Sequence, residues 1–116
     1  MDQYHVWCNL KTGVSDVGFC DDVSRYLGSL SDQGRIRGFR LTRRKLGLGP
    51  RDLGEFHIAI DVDDLAQLDR AFRAVSERTE PIEELHARVN QVATDVRFAL
   101  YRDFPDPHRQ RGAERF

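Results

Sequence analysis

The stretch GEFHIAIDV, residues 54–62, alternates apolar side chains with polar or small ones, which predicts a β-strand with two different faces. The stretch QYHVWCN, residues 3–9, alternates in the same way. On the apolar side lie Phe56, Ile58, Ile60 and Val62 of the first stretch and Tyr4, Val6 and Cys8 of the second. The other side carries polar groups and large rings, which is unusual for a face exposed only to water.

Two more strands and three helices complete the pattern. Residues 36–44 and 95–102 are predicted strands. Ser15 caps a helix that Gly34 ends, Asp63 or Asp64 caps a second, and a third spans 81–93 from Pro81. We expect the apolar stripes of these elements to be buried: Val17, Phe19, Cys20, Val23, Tyr26, Leu27, Leu30, Leu41, Leu65, Leu68, Phe72, Val75, Ile82, Leu85, Val89, Val92, Val96, Phe98 and Leu100.

The order strand, helix, strand, strand, helices, strand predicts an α+β fold of the ferredoxin-like βαββαβ type. In this plait, four antiparallel strands form one sheet, the helices cover one face, and the first and third strands are central neighbours. We expect a single domain over residues 1–103. The polar, proline-containing segment 104–116 is expected to fray or to lie on a partner subunit.

The composition limits which classes of partner we expect the protein to bind. The 18 basic and 19 acidic residues nearly cancel, whereas dedicated nucleic-acid binders carry a basic excess. The RNA-recognition plait also needs two outward aromatic residues on its third strand, where this sequence has His57 and Ala59. No apolar run approaches the ~20 residues of a membrane span, and the first ten residues lack the features of a signal peptide. We therefore expect a cytoplasmic protein that binds neither nucleic acid nor membrane, with free thiols at Cys8 and Cys20.

The face that the helices leave open contains the candidate site. Large rings mixed with convergent polar groups are typical of small-molecule sites. By alternation, this face carries His5, Trp7, Asn9, Arg40, Thr42, Arg44, Glu55, His57, Ala59, Arg97, Ala99 and Tyr101.

The residue types on this face suggest acid–base chemistry on a flat, negatively charged molecule. His57 and His5 are the candidate catalytic residues because histidine transfers protons near neutral pH, and Glu55 is the expected carboxylate neighbour. Arg40 or Arg97 would hold negative charge.

The remaining candidates would bind the substrate. Trp7 and Tyr101 would stack on a flat ring, and Asn9, Thr42 and Glu55 complete the candidate substrate-binding set with the two arginines.

Two other interpretations remain open. The two histidines with Glu55 or Asn9 could instead ligate a divalent metal. The same face could also be a plain protein interface anchored by Trp7 and Tyr101. We expect no cofactor, since nothing around His86, the one helical histidine, supports haem.

The plait and its polar-aromatic face resemble the dimeric α/β-barrel superfamily, in which two such sheets pack face to face around a ligand pocket. The superfamily includes cofactor-free monooxygenases of polycyclic phenols, muconolactone isomerases and haem proteins. Its monooxygenases use Asn, Trp, Tyr and Arg in the pocket, and Trp7, Asn9, Tyr101 and Arg97 match those types. The stretches YHVWCNL, RLTRRKLGLGP, LGEFHIAID and FALYRDFPDP are also similar to a small bacterial family of unknown function.

This resemblance implies a homodimer that binds a small, flat, anionic or phenolic molecule. As an enzyme it would be monooxygenase-like or isomerase-like. The alternative is a non-catalytic dimerisation or interaction module.

Overall fold

The computed structural model describes residues 1–105 and residue 112. The elements are β1 (Asp2–Leu10), α1 (Asp16–Asp32), β2 (Gly38–Arg43), β3 (Phe56–Val62), α2 (Leu65–Ser76), α3 (Ile82–Asn90) and β4 (Ala93–Arg102). The strands form one sheet in the order β2-β3-β1-β4, with antiparallel pairs throughout. The predicted ferredoxin-like fold is confirmed, with β1 and β3 at its centre. The expectation for residues 104–116 falls almost wholly outside the described residues.

The helix ends follow from local chemistry. Ser15 Oγ accepts a hydrogen bond from Gly18 N at 3.0 Å, and Asp64 caps α2 through Gln67 N at 2.8 Å. Gly34 lies just past α1 with a φ of +70°, a conformation that glycine adopts without strain. The predicted caps and the glycine stop are confirmed, whereas the strand and helix ends differ from the prediction by up to three residues.

The core lies between the sheet and the helices. It joins Cys8 of β1 and the alternate β3 residues Phe56, Ile58, Ile60 and Val62 to apolar positions of α1 and α2. Phe19 and Phe56 meet edge to face at 5.3 Å between ring centroids. The face predicted to be apolar on β3 is therefore the face that the helices cover.

Several expected core positions are wrong. Val17 is 68% exposed and Cys20 is exposed, because the buried stripe of α1 runs through Phe19, Val23, Leu27 and Leu30. On α2 the buried face is instead Gln67, Leu68, Ala71 and Ala74, so Leu65 and Phe72 remain exposed. Gln67 is tolerated in this buried face because its Nε2 donates to Gly34 O and its Oε1 accepts from Asp63 N.

The outer strand β4 is less covered than its apolar pattern suggests. Val96, Phe98 and Leu100 were expected to be buried, and they are 37%, 61% and 50% exposed. β4 is an edge strand, so these side chains lie at the rim of the helix layer rather than under it. A register shift between Trp7 and Asn9, where Asp95 has a φ of +56°, also bends this strand.

Gly54, which directly precedes Glu55 and β3, gives a test of this packing. A Cβ there would overlap the backbone of Cys8, whereas a Cβ at Gly28 within α1 meets open space. We expect Gly54→Ala to lower the free energy of unfolding by about 1–3 kcal/mol and Gly28→Ala to raise it by about 0.5–1 kcal/mol. Urea unfolding measures both, and a Gly54→Ala variant as stable as the wild type would contradict the packing described.

Candidate functional site

The face opposite the helices is organised by the register of the sheet. Across β2-β3-β1-β4, one row reads Thr42, His57, Trp7, Arg97, the next Arg40, Ala59, His5, Ala99, and the third Gly38, Asp61, Gln3, Tyr101. We call these twelve residues the histidine face. His5 is thus flanked by two alanines, whose small side chains leave space beside its ring.

A hydrogen bond between two histidines lies at the centre of this face. His5 Nδ1 and His57 Nε2 are 2.7 Å apart, and the two rings are within 5° of parallel. β1 and β3 are adjacent strands, and the register places His5 opposite Ala59 and His57 opposite Trp7, so the two histidines are diagonal neighbours within reach of each other's rings. The sequence-predicted pair of histidines is therefore in direct contact.

The hydrogen-bond order assigns the ring protons. Thr42 Oγ1 lies 3.4 Å from both His57 Nδ1 and the His57 carbonyl. A hydroxyl that donates to the carbonyl accepts from His57 Nδ1–H, which leaves His57 Nε2 to accept from His5 Nδ1–H. His5 Nε2 then carries a lone pair, and within the described residues it has no hydrogen-bond partner. His5 Nε2 can therefore accept a proton, and His57 and Thr42 continue the hydrogen-bond chain from the other nitrogen of the His5 ring.

Both rings are poised as neutral bases. Burial lowers the pKa of His5, and the negative charge of Asp61 offsets part of this effect. Burial also lowers the pKa of His57, and repulsion from a protonated His5 lowers it further. At neutral pH the pair is therefore uncharged and able to accept a proton.

Aromatic rings enclose the pair. Trp7 stacks on His57 at 4.9 Å and on His5 at 5.5 Å between centroids. Tyr101 meets His5 edge to face at 4.8 Å. Trp7 and Tyr101 thus stand at the candidate site, as the sequence predicts.

The two candidate arginines flank the site from the outer strands. Arg40 pairs in register with Ala59, and Arg97 pairs with Trp7. Arg40 and Arg97 are exposed, and no contact with another described residue occupies either guanidinium. Each is available to an anion above the sheet.

Asn9 and Glu55 have other partners. Asn9 Oδ1 accepts from Glu55 N at 2.8 Å, and Asn9 Nδ2 donates to Asp95 at 3.2 Å. The Glu55 carboxylate binds Arg43, which also pairs with Asp16. These contacts fasten the entry to β3 and keep both residues apart from the histidine pair.

The carboxylate that acts on His5 is Asp61 and not Glu55 as expected. Asp61 accepts from Gln3 Nε2 at 2.8 Å in the row next to His5. Strict alternation along β3 from His57 through Ala59 already placed Asp61 on this face. The sequence itself therefore carries the signal for this carboxylate.

Two further expectations concern Arg44 and a metal. Arg44 lies past the end of β2, where its guanidinium donates to the carbonyls of Pro50 and Leu53 and closes the β2–β3 loop. Within residues 1–105, no group of three or more His, Cys, Asp or Glu side chains is placed to hold a metal ion. Nor is any described helix long and apolar enough to cross a membrane.

Comparisons with known proteins agree on the fold. The profile of a family of unknown function, DUF6614, matches residues 1–116. No curated protein matches the sequence. A dimeric ferredoxin-like protein of unknown function from Jannaschia sp. CCS1 superposes with a TM-score of 0.65 and 10% identity, over 89% of this chain and 100% of that one.

Two similar structures are enzymes. The hydroxynitrile lyase from Passiflora edulis has a TM-score of 0.65 and 14% identity, over 91% of this chain and 96% of that one. SnoaB from Streptomyces nogalater, a cofactor-independent oxygenase, has a TM-score of 0.55 and 14% identity, over 90% and 97%. At these identities the likeness concerns the fold alone.

The lowered pKa values of the histidine pair predict how stability depends on pH. Above about pH 6.5 the rings are neutral in both states. Below it the unfolded chain binds protons that the folded chain does not, so the free energy of unfolding falls as pH decreases through the folded pKa values. Thermal unfolding at fixed protein concentration between pH 8 and 5 should show this loss.

The control is a variant with both rings replaced, His5→Asn with His57→Asn, which keeps His86. Its melting temperature should change less over the same range. An equal slope in the variant and the wild type would contradict the assignment.

Proposed function

The chain belongs to DUF6614, a family of unknown function, and we propose that it is a homodimer whose two histidine faces enclose a site for a small, flat, anionic or phenolic molecule. The observation that carries this proposal is the 2.7 Å contact between His5 and His57, with a His5 Nε2 that no described residue binds. A neutral, partly buried pair of this kind is suited to taking a proton from a bound acid.

Dimerisation is supported by the chemistry of the face and by similar structures that are dimeric, among them the protein from Jannaschia sp. CCS1. Trp7, His5 and Tyr101 form a continuous ring surface that the helices of the same chain do not cover. Aromatic residues and arginine are enriched at the cores of interfaces, where water is excluded. A second copy placed face to face would turn the open face into the wall of a closed site.

The class of ligand follows from the side chains that lie in each row of the histidine face. Ala59 and Ala99 leave a shallow floor beside His5, over which a planar ring fits against Trp7. Arg40 lies two strands from His5 in the same row, about 10 Å at ~4.8 Å per strand, so it reaches negative charge at the far edge of such a ring. Thr42 and Arg97 lie at the two ends of the row that contains Trp7, and they complete the set of residues proposed to bind the ligand.

Two classes of reaction use such a site. A proton taken from a phenol or from an acidic C–H leaves a delocalised anion, which can be reprotonated at another atom or can react at carbon with dioxygen. In the second case the peroxide that forms takes back the proton, its O–O bond breaks, one oxygen atom stays as a carbonyl and the other leaves as water. The first course is isomerase-like and the second is monooxygenase-like, and the two enzymes of this fold show that it accommodates chemistry of different kinds. His5 takes the proton, His57 shares the resulting charge, and Arg40 holds the anion.

The probe 4-nitrophenol tests binding and proton transfer together, because its phenolate is yellow and its phenol is not. At a pH just below the pKa of the free dye, we expect saturable binding, quenching of Trp7 fluorescence and a bound spectrum shifted to the phenolate. Arg40→Ala should weaken binding about tenfold, since a charge-assisted hydrogen bond is lost. His5→Asn should remove the spectral shift.

The matched control is Arg51→Ala, which changes an exposed arginine of the β2–β3 loop and should bind as the wild type does. Absence of binding would favour the alternative, a non-catalytic interaction module. Binding that Arg40→Ala and His5→Asn leave unchanged would place the dye elsewhere and contradict the proposed site.

A further inference from the structure

A second concave site lies on the other side of the sheet. A cavity of about 340 Å³ separates the sheet from the three helices, with walls from β1, β3, β4, α1, α2 and α3. It opens at the β4 rim, where Phe72, Val96 and Phe98 are exposed. The histidine face contributes no residue to it.

The volume of this cavity is large for a protein interior. Protein interiors are close-packed, and few of their voids exceed a water molecule. Ligand pockets begin at about 300 Å³, and this cavity reaches that range in a chain of 116 residues. Its lining includes Tyr4, Val6 and Val75, which pack against the core and are only partly buried. An empty apolar space here forfeits contacts that an apolar occupant would restore.

The polar part of the cavity lining consists of two phenols together with Ser76, His86 and Asn90. Tyr4 and Tyr26 line it, and within residues 1–105 neither hydroxyl makes a hydrogen bond. Burial raises the pKa of Tyr4, and burial together with Tyr4 raises the pKa of Tyr26 to about 12, so both remain protonated donors. Tyr4 is fixed by Phe72 and Phe98 at 5.4 and 5.9 Å, and Tyr26 by His86 at 5.4 Å.

The charge of the lining selects against ions. Among the described residues around the cavity there is no lysine, arginine, aspartate or glutamate. A carboxylate placed there would lose its hydration, and the described lining offers one histidine ring, His86, in place of a lysine or arginine, which makes its burial costly. A neutral acceptor such as a carbonyl oxygen loses much less and gains a phenol donor.

We propose that the cavity between the sheet and the helices binds an uncharged apolar carbonyl compound, whose oxygen accepts a hydrogen bond from Tyr26 or Tyr4. This ligand enters at the β4 rim between Phe72 and Phe98. It differs in charge and in location from the anionic or phenolic molecule of the histidine face, so the two sites stand or fall separately.

Three probes that each carry one phenyl ring test this proposal by calorimetry on the full chain: the ketone butyrophenone, the hydrocarbon n-butylbenzene and the carboxylate 4-phenylbutyrate. We expect butyrophenone to bind more tightly than n-butylbenzene, and 4-phenylbutyrate to bind most weakly. Tyr26→Phe with Tyr4→Phe should weaken butyrophenone by about threefold to tenfold, the value of one neutral hydrogen bond. The same change should leave n-butylbenzene unaffected.

A second set of variants locates the probes. Ala71→Leu, at a buried position of the lining, should remove binding of butyrophenone, whereas Ala66→Leu on the exposed side of the same helix should not. His57→Gln on the other face should also leave binding intact. Absence of butyrophenone binding, equal binding of 4-phenylbutyrate, or loss of binding in His57→Gln would overturn the proposal.

Discussion

The antiparallel pairing of β1 with β3 determines both faces of this molecule. Because side chains alternate along a strand, the register that opposes Trp7 to His57 and His5 to Ala59 also opposes Val6 to Ile58 on the other side. A slip of one residue would exchange the two faces and place the histidines under the helices. The apolar core therefore fixes the histidine pair: burial of Ile58 and Ile60 leaves His57 only one side of the sheet to occupy.

Much of this architecture could be predicted because it depends on local periodicity. Alternation in residues 3–9 and 54–62 identified both faces, and Ser15, Asp64 and Gly34 marked helix ends by their own chemistry. Burial on α2 and β4 could not be obtained in this way. Whether Phe72 and Phe98 are covered depends on where the helices lie relative to an edge strand, which is a property of tertiary packing.

For the candidate site, the sequence predicts which residue types share a face, but it does not predict all of their hydrogen-bond and ion-pair partners. The sequence predicted that His5, His57, Trp7 and Tyr101 share a face, and the structure places their rings in contact. It could not predict that Glu55 would be held by Arg43, because that ion pair joins the two ends of the β2–β3 loop. Nor could it predict the β4 register shift, beyond which Asp95 bonds to Asn9.

The two sides of the sheet differ in chemistry although they share the same strands. On the histidine face, rings and two arginines with no described partner surround a neutral base, and none of the described helices covers them. On the helix side, apolar walls and two phenols surround a cavity whose described lining has no lysine, arginine, aspartate or glutamate. A single β1 strand supplies His5 and Trp7 to one side and Tyr4 and Val6 to the other, so a change at one site need not disturb its neighbour.

The central claim is that a second copy encloses the histidine face. Light scattering after size exclusion tests it most directly when the wild type is compared with two single substitutions. Ala59→Asp puts a charge in the middle of the face, and Ala66→Asp puts the same charge on the exposed first turn of α2. The account predicts twice the 13.4 kDa chain mass for the wild type and Ala66→Asp, and a monomer for Ala59→Asp. A monomeric wild type, or a dimer that Ala59→Asp leaves intact, would contradict it.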